Sequence, residues 1–291
     1  MPRRAGRCRV GGWRPAAALL LALAVPPAHA VEPGLEHSAT PASLGLAAEG
    51  VAFPAADSAR VAGWWFPGPA KAPVVVVAAR GSGTMADMLP AVREFLARGF
   101  AVLTFDYRGF GPASSAAAVD SLRYIVLNSQ WVDDMLGALY YARARGGGHV
   151  FAWGQDLGSA VALAAAARER DDCDAVAVEG LFGTTQEALR ANGTSVLRDV
   201  EVRHRRLVKG HDEPRSAAAR LRCPLYAVLA GRDEVTPVAE TRKVLERVPR
   251  GATVWDLPGA AHAGAEATPG YFDRLAKWFK AWTVFPPGAG R

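Results

Sequence analysis

One stretch decides the fold of this chain, and it reads Val150-Phe151-Ala152-Trp153-Gly154-Gln155-Asp156-Leu157-Gly158-Ser159-Ala160. An apolar strand runs into a turn bounded by two glycines, and an alanine-rich helix follows the turn. The G-x-D-x-G pattern is typical of a sharp elbow that pushes its middle side chain out at the end of a strand, where a nucleophile usually stands. Serine is the usual residue at that position, and here it is Asp156. The stretch therefore predicts a catalytic elbow with an unusual residue at its tip.

Strand-like and helix-like segments alternate on both sides of this elbow. Apolar runs typical of buried strands occupy residues 74–79, 100–105, 149–153, 175–179, 225–230 and 253–257. Helical spacing occupies residues 89–98, 130–145, 157–168, 238–248 and 271–282. Two earlier segments, 50–53 and 59–66, alternate as antiparallel strands do. This order predicts one α/β domain over residues 47–285, with a mostly parallel sheet, helices on both faces and no large cap.

The first thirty residues have the three regions of an export signal. A basic start is followed by ten apolar residues at 16–25 and by the small-x-small sequence Ala28-His29-Ala30. Ten apolar residues are too few to span a bilayer. We therefore expect residues 1–30 to be a signal peptide and the mature chain to begin near Val31 with a loose lead-in over 31–46. The protein would then be exported, to the periplasm or beyond, with no stable membrane span after cleavage.

The predicted signal peptide carries most of the excess charge. Its five arginines and no acids leave a net charge of +1 from the formal +6 of the whole chain. A near-neutral chain lacks the basic surface that nucleic-acid binding requires. The sequence predicts neither a cofactor nor a metal site, because no motif and no ligand spacing for either is present. A small molecule is the expected partner, and the oligomeric state stays open.

Two cysteines, Cys173 and Cys223, remain after signal cleavage. Each precedes a predicted apolar strand. If those strands are parallel neighbours, both thiols lie at one edge of the sheet, within the Cα separation of about 4.4–6.8 Å that a disulfide needs. An oxidising compartment favours a disulfide, and two unrelated buried thiols are the alternative.

Three loops at the carboxyl ends of predicted strands carry the candidate catalytic residues. Parallel α/β sheets place their ligand sites at those ends. Asp156 lies at the elbow, Asp233 in the loop 231–237 and His262 in the loop 258–263. Nucleophile, acid and histidine therefore follow one another in the order that the Ser-Asp-His hydrolases show.

Residues 44–279 resemble a compact α/β-hydrolase of the esterase, lysophospholipase and peptidase-like branch. The strings that carry the resemblance are Gly63-Trp64-Trp65-Phe66-Pro67, Phe105-Asp106-Tyr107-Arg108-Gly109-Phe110-Gly111, the elbow, Gly231-Arg232-Asp233-Glu234-Val235-Thr236-Pro237 and His262. The resemblance implies that Asp233 orients His262. It also implies an oxyanion hole formed by the backbone amides of Ser82 and Leu157.

The chain departs from the family pattern at two positions, with Arg80 in place of a histidine and Asp156 in place of the serine. A carboxylate with a reference pKa of about 3.9 is ionised at neutral pH and can attack without a base. That chemistry suits the saturated carbon of an epoxide or alkyl halide, with His262 activating the water that completes hydrolysis. Haloalkane dehalogenases and epoxide hydrolases resemble this arrangement. Leu157 stands where they have tryptophan, however, and the segment 181–222 is short for their cap and lacks tyrosine.

Other readings of the same residues stay open. Asp156 also suits a turn without catalysis, because aspartate tolerates the left-handed conformation better than most residues. The protein would then be a catalytically silent relative that binds a ligand or partner in the same cleft. Ser82 and Ser159 are alternative hydroxyls, and Glu179 is an alternative acid. The function that we predict is an exported hydrolase with the catalytic group Asp156, His262 and Asp233, of unknown substrate.

Overall fold

A computed structural model describes residues 31–122, 125–146, 148–169, 171–191 and 205–287. The predicted signal peptide, residues 1–30, lies outside them. Within the described ranges, no helix is both long and apolar enough to cross a membrane. In the same ranges, no group of three or more histidine, cysteine or acidic residues is placed to hold a metal ion.

The described residues contain a two-stranded and an eight-stranded sheet. Their strands are β1 (Glu32–Pro33), β2 (Glu49–Pro54), β3 (Arg60–Phe66), β4 (Val74–Ala78), β5 (Ser82–Gly83), β6 (Ala101–Phe105), β7 (Val150–Gln155), β8 (Ala175–Glu179), β9 (Leu225–Arg232) and β10 (Thr253–Ala261). The large sheet has the order β10-β9-β8-β7-β4-β6-β3-β2. Pairing is antiparallel between β2 and β3 and between β3 and β6, and parallel elsewhere in this sheet. The predicted mostly parallel sheet is confirmed.

The strand order creates a crevice at the elbow. β4 lies between β6 and β7, so the chain passes from β4 to one side of the sheet and later returns to its other side. Ligands of α/β sheets bind where the order reverses in this way, outside the carboxyl ends of the strands. The loops that follow β4 and β7 both begin there. The topology thus brings the loop of Arg80 beside the elbow of Asp156.

Helices cover both faces of the sheet. They are α1 (Leu89–Ala97), α2 (Ala116–Leu122), α3 (Ser129–Gly146), α4 (Leu157–Arg168), α5 (Thr185–Ala191), α6 (Pro214–Ala218), α7 (Val238–Leu245) and α8 (Tyr271–Trp282). On one face, Trp153 of β7 packs against Phe95 of α1 and Phe272 of α8, with ring centroids 5.3 and 6.0 Å away. The next residue, Gly154, contacts Gly158 of α4. Because successive strand residues point to opposite faces, α4 covers the other side.

The segment 181–222, which follows β8, contributes α5 and α6 in its described part. Residues 192–204 of this segment lie outside the described residues. The described part therefore supplies short helices beside the sheet.

The segment 31–46, for which the sequence predicts a loose lead-in, makes defined contacts with the domain near its start. Val31 is only 3% exposed, and β1 pairs in parallel with β5. Further along, Nε2 of His37 lies 2.7 Å from the carboxylate of Asp106. A two-residue strand that is held by a distant loop leaves no periodicity in a segment rich in proline and glycine, so the sequence pattern could not reveal it.

The two cysteines lie side by side, since their strands β8 and β9 are parallel neighbours. A hydrogen bond with the Cys223 thiol, together with burial, raises the pKa of the Cys173 thiol. Both residues are free thiols in the structure. The strands that follow the two cysteines are thus parallel neighbours, as the sequence argument required, and the disulfide itself stays a prediction.

Candidate active site

Asp156 occupies the tip of the turn between β7 and α4 and is partly exposed. Its backbone has φ of 53° and ψ of −121°. This ψ is far from the left-handed helical value of about +47°, so the conformation that aspartate tolerates well is not the one it adopts. Residues in such sparsely populated regions cost on the order of 1–3 kcal/mol and concentrate at active sites. The strain favours a functional tip over a residue that merely suits the turn.

The two glycines of the elbow are required by close packing. A Cβ on Gly154 would lie 2.1 Å from the carbonyl oxygen of Gly158, and a Cβ on Gly158 would lie 2.4 Å from that of Ala78. The Asp156 N–H donates to the carbonyl oxygen of Glu179 at 2.8 Å. The elbow is therefore fixed by direct backbone contact between α4 and the strands beneath it.

His262 and Asp233 form the pair that the sequence predicts. Nδ1 of His262 lies 3.0 Å from Oδ2 and 3.1 Å from Oδ1 of Asp233. Thr236 donates to the same carboxylate through its N–H at 2.6 Å and its hydroxyl at 2.5 Å. Burial raises the pKa of Asp233, but these hydrogen bonds lower it overall. An ionised carboxylate only accepts hydrogen bonds, so Nδ1 carries the proton and Nε2 is the basic nitrogen.

The charges around His262 strengthen it as a base. Burial lowers the pKa of the imidazole, but the hydrogen bond to Asp233 and the charges of Asp156, Asp233 and Glu179 raise it overall. Protonated His262 is thus stabilised by the acids around it. A histidine held in this way suits the transfer of a proton from water.

Asp156 has a shifted titration of its own. Burial raises its pKa to about 6; the positive charge of His262 lowers this pKa, and the negative charge of Asp233 raises it. The N–H of Leu157 and the charge of Arg80 lower it further. A carboxyl group with this pKa is mostly ionised at neutral pH. Asp156 can therefore serve as a nucleophile without help from a base.

Asp156 and His262 interact through their charges but are not in contact. Within the described residues that surround the site, no nitrogen of His262 lies within 4.0 Å of an Asp156 carboxylate oxygen. A hydroxyl nucleophile needs a direct hydrogen bond to its base, whereas an ionised carboxylate does not.

The alternative hydroxyl on α4 and the alternative acid on β8 both have structural roles. Ser159 is fully buried; its hydroxyl donates to the carbonyl oxygen of Gly154 at 2.9 Å and accepts from the Glu179 N–H at 3.0 Å. The Glu179 carboxylate accepts hydrogen bonds from the Tyr271 hydroxyl at 2.6 Å and from Gln155 Nε2 at 2.9 Å. These bonds make Ser159 and Glu179 braces of the elbow.

Arg80 is tied to the base of the elbow. Its guanidinium donates to Oε1 of Gln155 at 2.9 and 2.6 Å and forms an ion pair with Glu266 at 2.6 Å. Gln155 directly precedes Asp156, and Glu266 follows shortly after His262 in the chain. Arg80 therefore connects the loop after β4 with the elbow and with the segment that carries the histidine.

The loop after β4 is also held by β1. The N–H of Glu32 donates to the Gly81 carbonyl at 2.7 Å, and the N–H of Gly34 donates to the Gly83 carbonyl at 2.8 Å. Because the backbone groups of successive strand residues point in opposite directions, this pairing turns the Ser82 N–H away from β1. Such an orientation supports the oxyanion hole of Ser82 and Leu157, which stays a prediction.

Some side chains that brace the site were missed by sequence reasoning. The Tyr107 hydroxyl donates to the Ala79 carbonyl at 3.1 Å across 28 residues of sequence, and Glu266 pairs with Arg80 across 186. No short motif links positions so far apart. Among the bracing residues, Glu179 had a signal in the sequence, because an acid at the end of a fully buried strand is unusual.

Comparison with protein families matches residues 69–208 to the family described as "Serine aminopeptidase, S33". The matched range includes the loop of Arg80 and the whole elbow. The description names a serine enzyme, whereas this chain has Asp156 at the tip.

Curated relatives occur in Escherichia coli. The uncharacterized protein YfhR of Escherichia coli K12 is 32% identical over 146 residues, which are 47% of this chain and 48% of that protein. This chain thus spans about half the length of that relative. A 31.7 kDa uncharacterized protein of the traX-finO intergenic region is 23% identical over 274 residues, covering 73% of this chain and 92% of that protein.

Solved structures share the fold at low sequence identity. An esterase of Pyrococcus furiosus superposes with a TM-score of 0.69 at 17% identity, covering 87% of this chain and 99% of the esterase. The α/β-hydrolase GrgF of Penicillium sp. superposes with a TM-score of 0.65 at 16% identity, covering 82% of this chain and all of GrgF. The chain therefore has the α/β-hydrolase fold. The family match supports its place in the α/β-hydrolase superfamily.

Proposed function

We propose that this protein is an exported hydrolase in which Asp156, His262 and Asp233 form the catalytic group. The observation that carries the proposal is the strained Asp156 at the elbow tip, whose charge interacts with that of His262. Nδ1 of His262 in turn lies 3.0 Å from the carboxylate of Asp233. Fold relatives that include an esterase support hydrolysis as the reaction class. Residues 1–30 supply the export signal in this proposal.

In the first step, an ionised oxygen of Asp156 attacks an electrophilic saturated carbon of the substrate. The new carbon–oxygen bond forms as the bond from that carbon to its leaving group breaks, and the leaving group takes the electron pair. An alkyl halide releases a halide ion, whereas the oxygen of an opened epoxide stays attached to the substrate as an alkoxide and takes a proton from solvent water. The product is an ester of Asp156. Attack on the carbonyl of an ordinary ester would give a reactive mixed anhydride instead, so epoxides and alkyl halides are the substrate class that fits best.

In the second step, water hydrolyses this ester. Nε2 of His262 takes a proton from the water as its oxygen attacks the carboxyl carbon of Asp156. The bond between that carbon and the substrate oxygen then breaks, and the departing alkoxide takes the proton back from His262. Asp233 holds the imidazole in the required tautomer throughout. The water must reach both Nε2 of His262 and the carboxyl carbon of Asp156 in this step.

The backbone amides contribute to the second step rather than the first. Negative charge then develops on the carboxyl oxygen of Asp156 itself, not on a substrate carbonyl. The N–H of Leu157 already lowers the pKa of this carboxyl group and hence stabilises its charge. We assign the same role to the N–H of Ser82, since donors placed where charge develops commonly contribute factors of about 100–1,000 to kcat.

A catalytically silent protein that binds a ligand in the same cleft is the competing hypothesis. The observation that favours this hypothesis is that the Arg80 guanidinium donates its hydrogen bonds to Gln155 and Glu266. A silent site, however, has no need of the strained backbone of Asp156 or of a His262–Asp233 pair. Catalysis therefore explains more of the geometry.

Turnover in water enriched in oxygen-18 tests the proposal. A panel of epoxides, haloalkanes, lactones and esters identifies a substrate, and peptide mass spectrometry then follows the label. We expect label in the carboxyl group of Asp156, because the oxygen of the attacking water stays there. The peptide of Asp233 is the control and should stay unlabelled. Product without label in Asp156 would contradict the nucleophile, and a panel without any turnover would favour the silent protein.

We also propose that Cys173 and Cys223 form a disulfide after export. A loop of about fifty residues gains about 4 kcal/mol from such a bond in the chain-entropy model. Air-oxidised protein should yield a Cys173–Cys223 peptide that disappears on reduction. Cys223→Ser should melt several degrees lower than the oxidised wild type and equal to it under reductant. Equal melting without reductant, with no linked peptide, would contradict the disulfide.

A further inference from the structure

Residues 31–34 lie against the loop that follows β4. The backbone of Gly81 is enclosed between two apolar side chains, since a Cβ placed on it would lie 3.2 Å from Cγ1 of Val31 and 3.3 Å from Cβ of Leu157. Val31 is almost fully buried, and its N–H donates to the carbonyl oxygen of Ile125 at 3.0 Å. The segment therefore packs directly against the loop that carries the Ser82 amide, and Gly81 of that loop lies between Val31 and Leu157.

The ladder between β1 and β5 uses alternate residues. Glu32 and Gly34 donate their N–H groups to the loop, whereas Pro33 has no N–H to donate. Proline is thus placed at the one position of the segment where the pairing needs no donor. The sequence of β1 is therefore consistent with a strand that holds the loop through its backbone hydrogen bonds.

Anchors beyond β1 fix the segment on the domain. The N–H of Gly111 donates to the Gly34 carbonyl at 2.8 Å. The Asp106 carboxylate binds His37 at 2.7 Å through one oxygen and accepts the N–H of Met85 at 2.7 Å through the other. Asp106 thereby connects the lead-in with the residues that follow the loop. The segment is held on both sides and can hold the loop in turn.

We propose that β1 positions the Ser82 amide for hydrolysis of the covalent intermediate. The bond from the Glu32 N–H to the Gly81 carbonyl fixes the peptide that precedes Ser82. The bond from the Gly34 N–H to the Gly83 carbonyl fixes the peptide between Gly83 and Thr84, one residue further along the loop. Residue 32 is a positioning residue, because it acts through Ser82 and does not touch the reacting atoms. This inference rests on the function proposed above and extends the machinery beyond the loops of the main sheet.

A pair of substitutions at one position provides the test in the full chain. Glu32→Pro removes the N–H that binds Gly81, and Glu32→Ala keeps that N–H while removing the same charge. A misplaced oxyanion donor slows the second step, so kcat should fall about 10- to 100-fold in the proline variant. KM should fall with it, because kcat/KM depends only on steps through formation of the ester. The alanine variant should keep wild-type kcat within about twofold.

Two further measurements make the result decisive. Val31→Ala, which loosens the packing on Gly81, should lower both kcat and KM, as Glu32→Pro does. Amide exchange at Gly34 should be faster in Glu32→Pro than in Glu32→Ala. Equal kcat in the two Glu32 variants, or a kcat/KM that falls as far as kcat, would overturn the positioning role. If the wild type turns over no substrate, the proposed function fails. If the rate of amide exchange at Gly34 is the same in Glu32→Pro and Glu32→Ala, the present inference fails even when the proposed function holds.

Discussion

Asp156→Asn is expected to abolish turnover and to make the protein more stable at neutral pH. The amide keeps the size of the side chain but cannot form the ester, so kcat should fall on the order of 10,000-fold or more, as for other nucleophiles. Substrate binding should change little. Steady-state kinetics on the substrate found in the panel measures the loss, and stability is measured by thermal melting at several pH values.

The gain in stability follows from the titration of Asp156. Its pKa is about 6 in the folded protein and about 3.9 in an unfolded chain. The folded state therefore binds the proton more tightly, and stability falls as the pH rises from about 4 to about 6. Above that range the cost is at most about 3 kcal/mol, and less because the side chain is partly exposed. Asparagine carries no such cost, so the variant should melt up to roughly 6–12 °C higher at pH 7 and like the wild type at pH 4.

Matched variants separate charge from backbone strain. The free energy of unfolding of Asp156→Gly should exceed that of Asp156→Asn by about 1–3 kcal/mol, because glycine adopts the positive φ of the elbow without strain. Asp256→Asn is the control at an exposed carboxylate. Its stability relative to the wild type should not increase with pH. The difference in stability between Asp156→Asn and the wild type should be larger at pH 7 than at pH 4. An equal difference at both pH values would contradict the raised pKa of Asp156.

His262→Gln should trap the covalent intermediate. The first step needs only the ionised carboxylate of Asp156, so the ester should form at close to its normal rate. Hydrolysis needs the base, and its loss should slow that step about 100- to 10,000-fold. Intact-protein mass spectrometry should show the protein with one substrate-derived group attached, and peptide mapping should place it on Asp156.

Two controls give this result its meaning. The double variant Asp156→Asn, His262→Gln should acquire no adduct. Asp233→Asn should accumulate less adduct than His262→Gln, because the imidazole is present but less well oriented. Loss of the first step in His262→Gln, with no adduct at any time, would show that the nucleophile needs a base. A hydroxyl such as that of Ser82 would then take the place of Asp156 in the mechanism.

Local features were enough to predict much of the fold and the centre of the site. The elbow depends on Gly154 and Gly158, which are close in sequence and whose contacts are all made by backbone atoms. Helix α4, strand β8 and helix α8 agree with the segments expected from periodicity. The resemblance to the α/β-hydrolases implied the pairing of His262 with Asp233, and both residues were expected at the carboxyl ends of the strands.

Features that depend on distant partners could not be predicted. β10 continues to Ala261 through Pro258 and Gly259, which discourage a strand in any local analysis, and its register with β9 is irregular there. The residues that hold Arg80 come from another strand and from beyond the histidine loop. β1 is only two residues long and finds its partner across about fifty residues of chain. In each case tertiary contact decided the structure, and the local pattern carried no sign of it.

The glycine contacts beneath the elbow also determine where a library of variants can yield folded proteins. Any side chain at 154 or 158 would collide with a carbonyl oxygen that cannot move without lifting α4 from the sheet. The side chain of residue 156 projects from the turn and meets no such carbonyl, although the φ of 53° at this position disfavours β-branched residues. Randomising 154 or 158 would thus sample misfolded chains, whereas randomising 156 would sample different reaction types on one scaffold. Under the proposed mechanism, a substitution at position 156 alone would change the chemistry, and laboratory evolution can begin there.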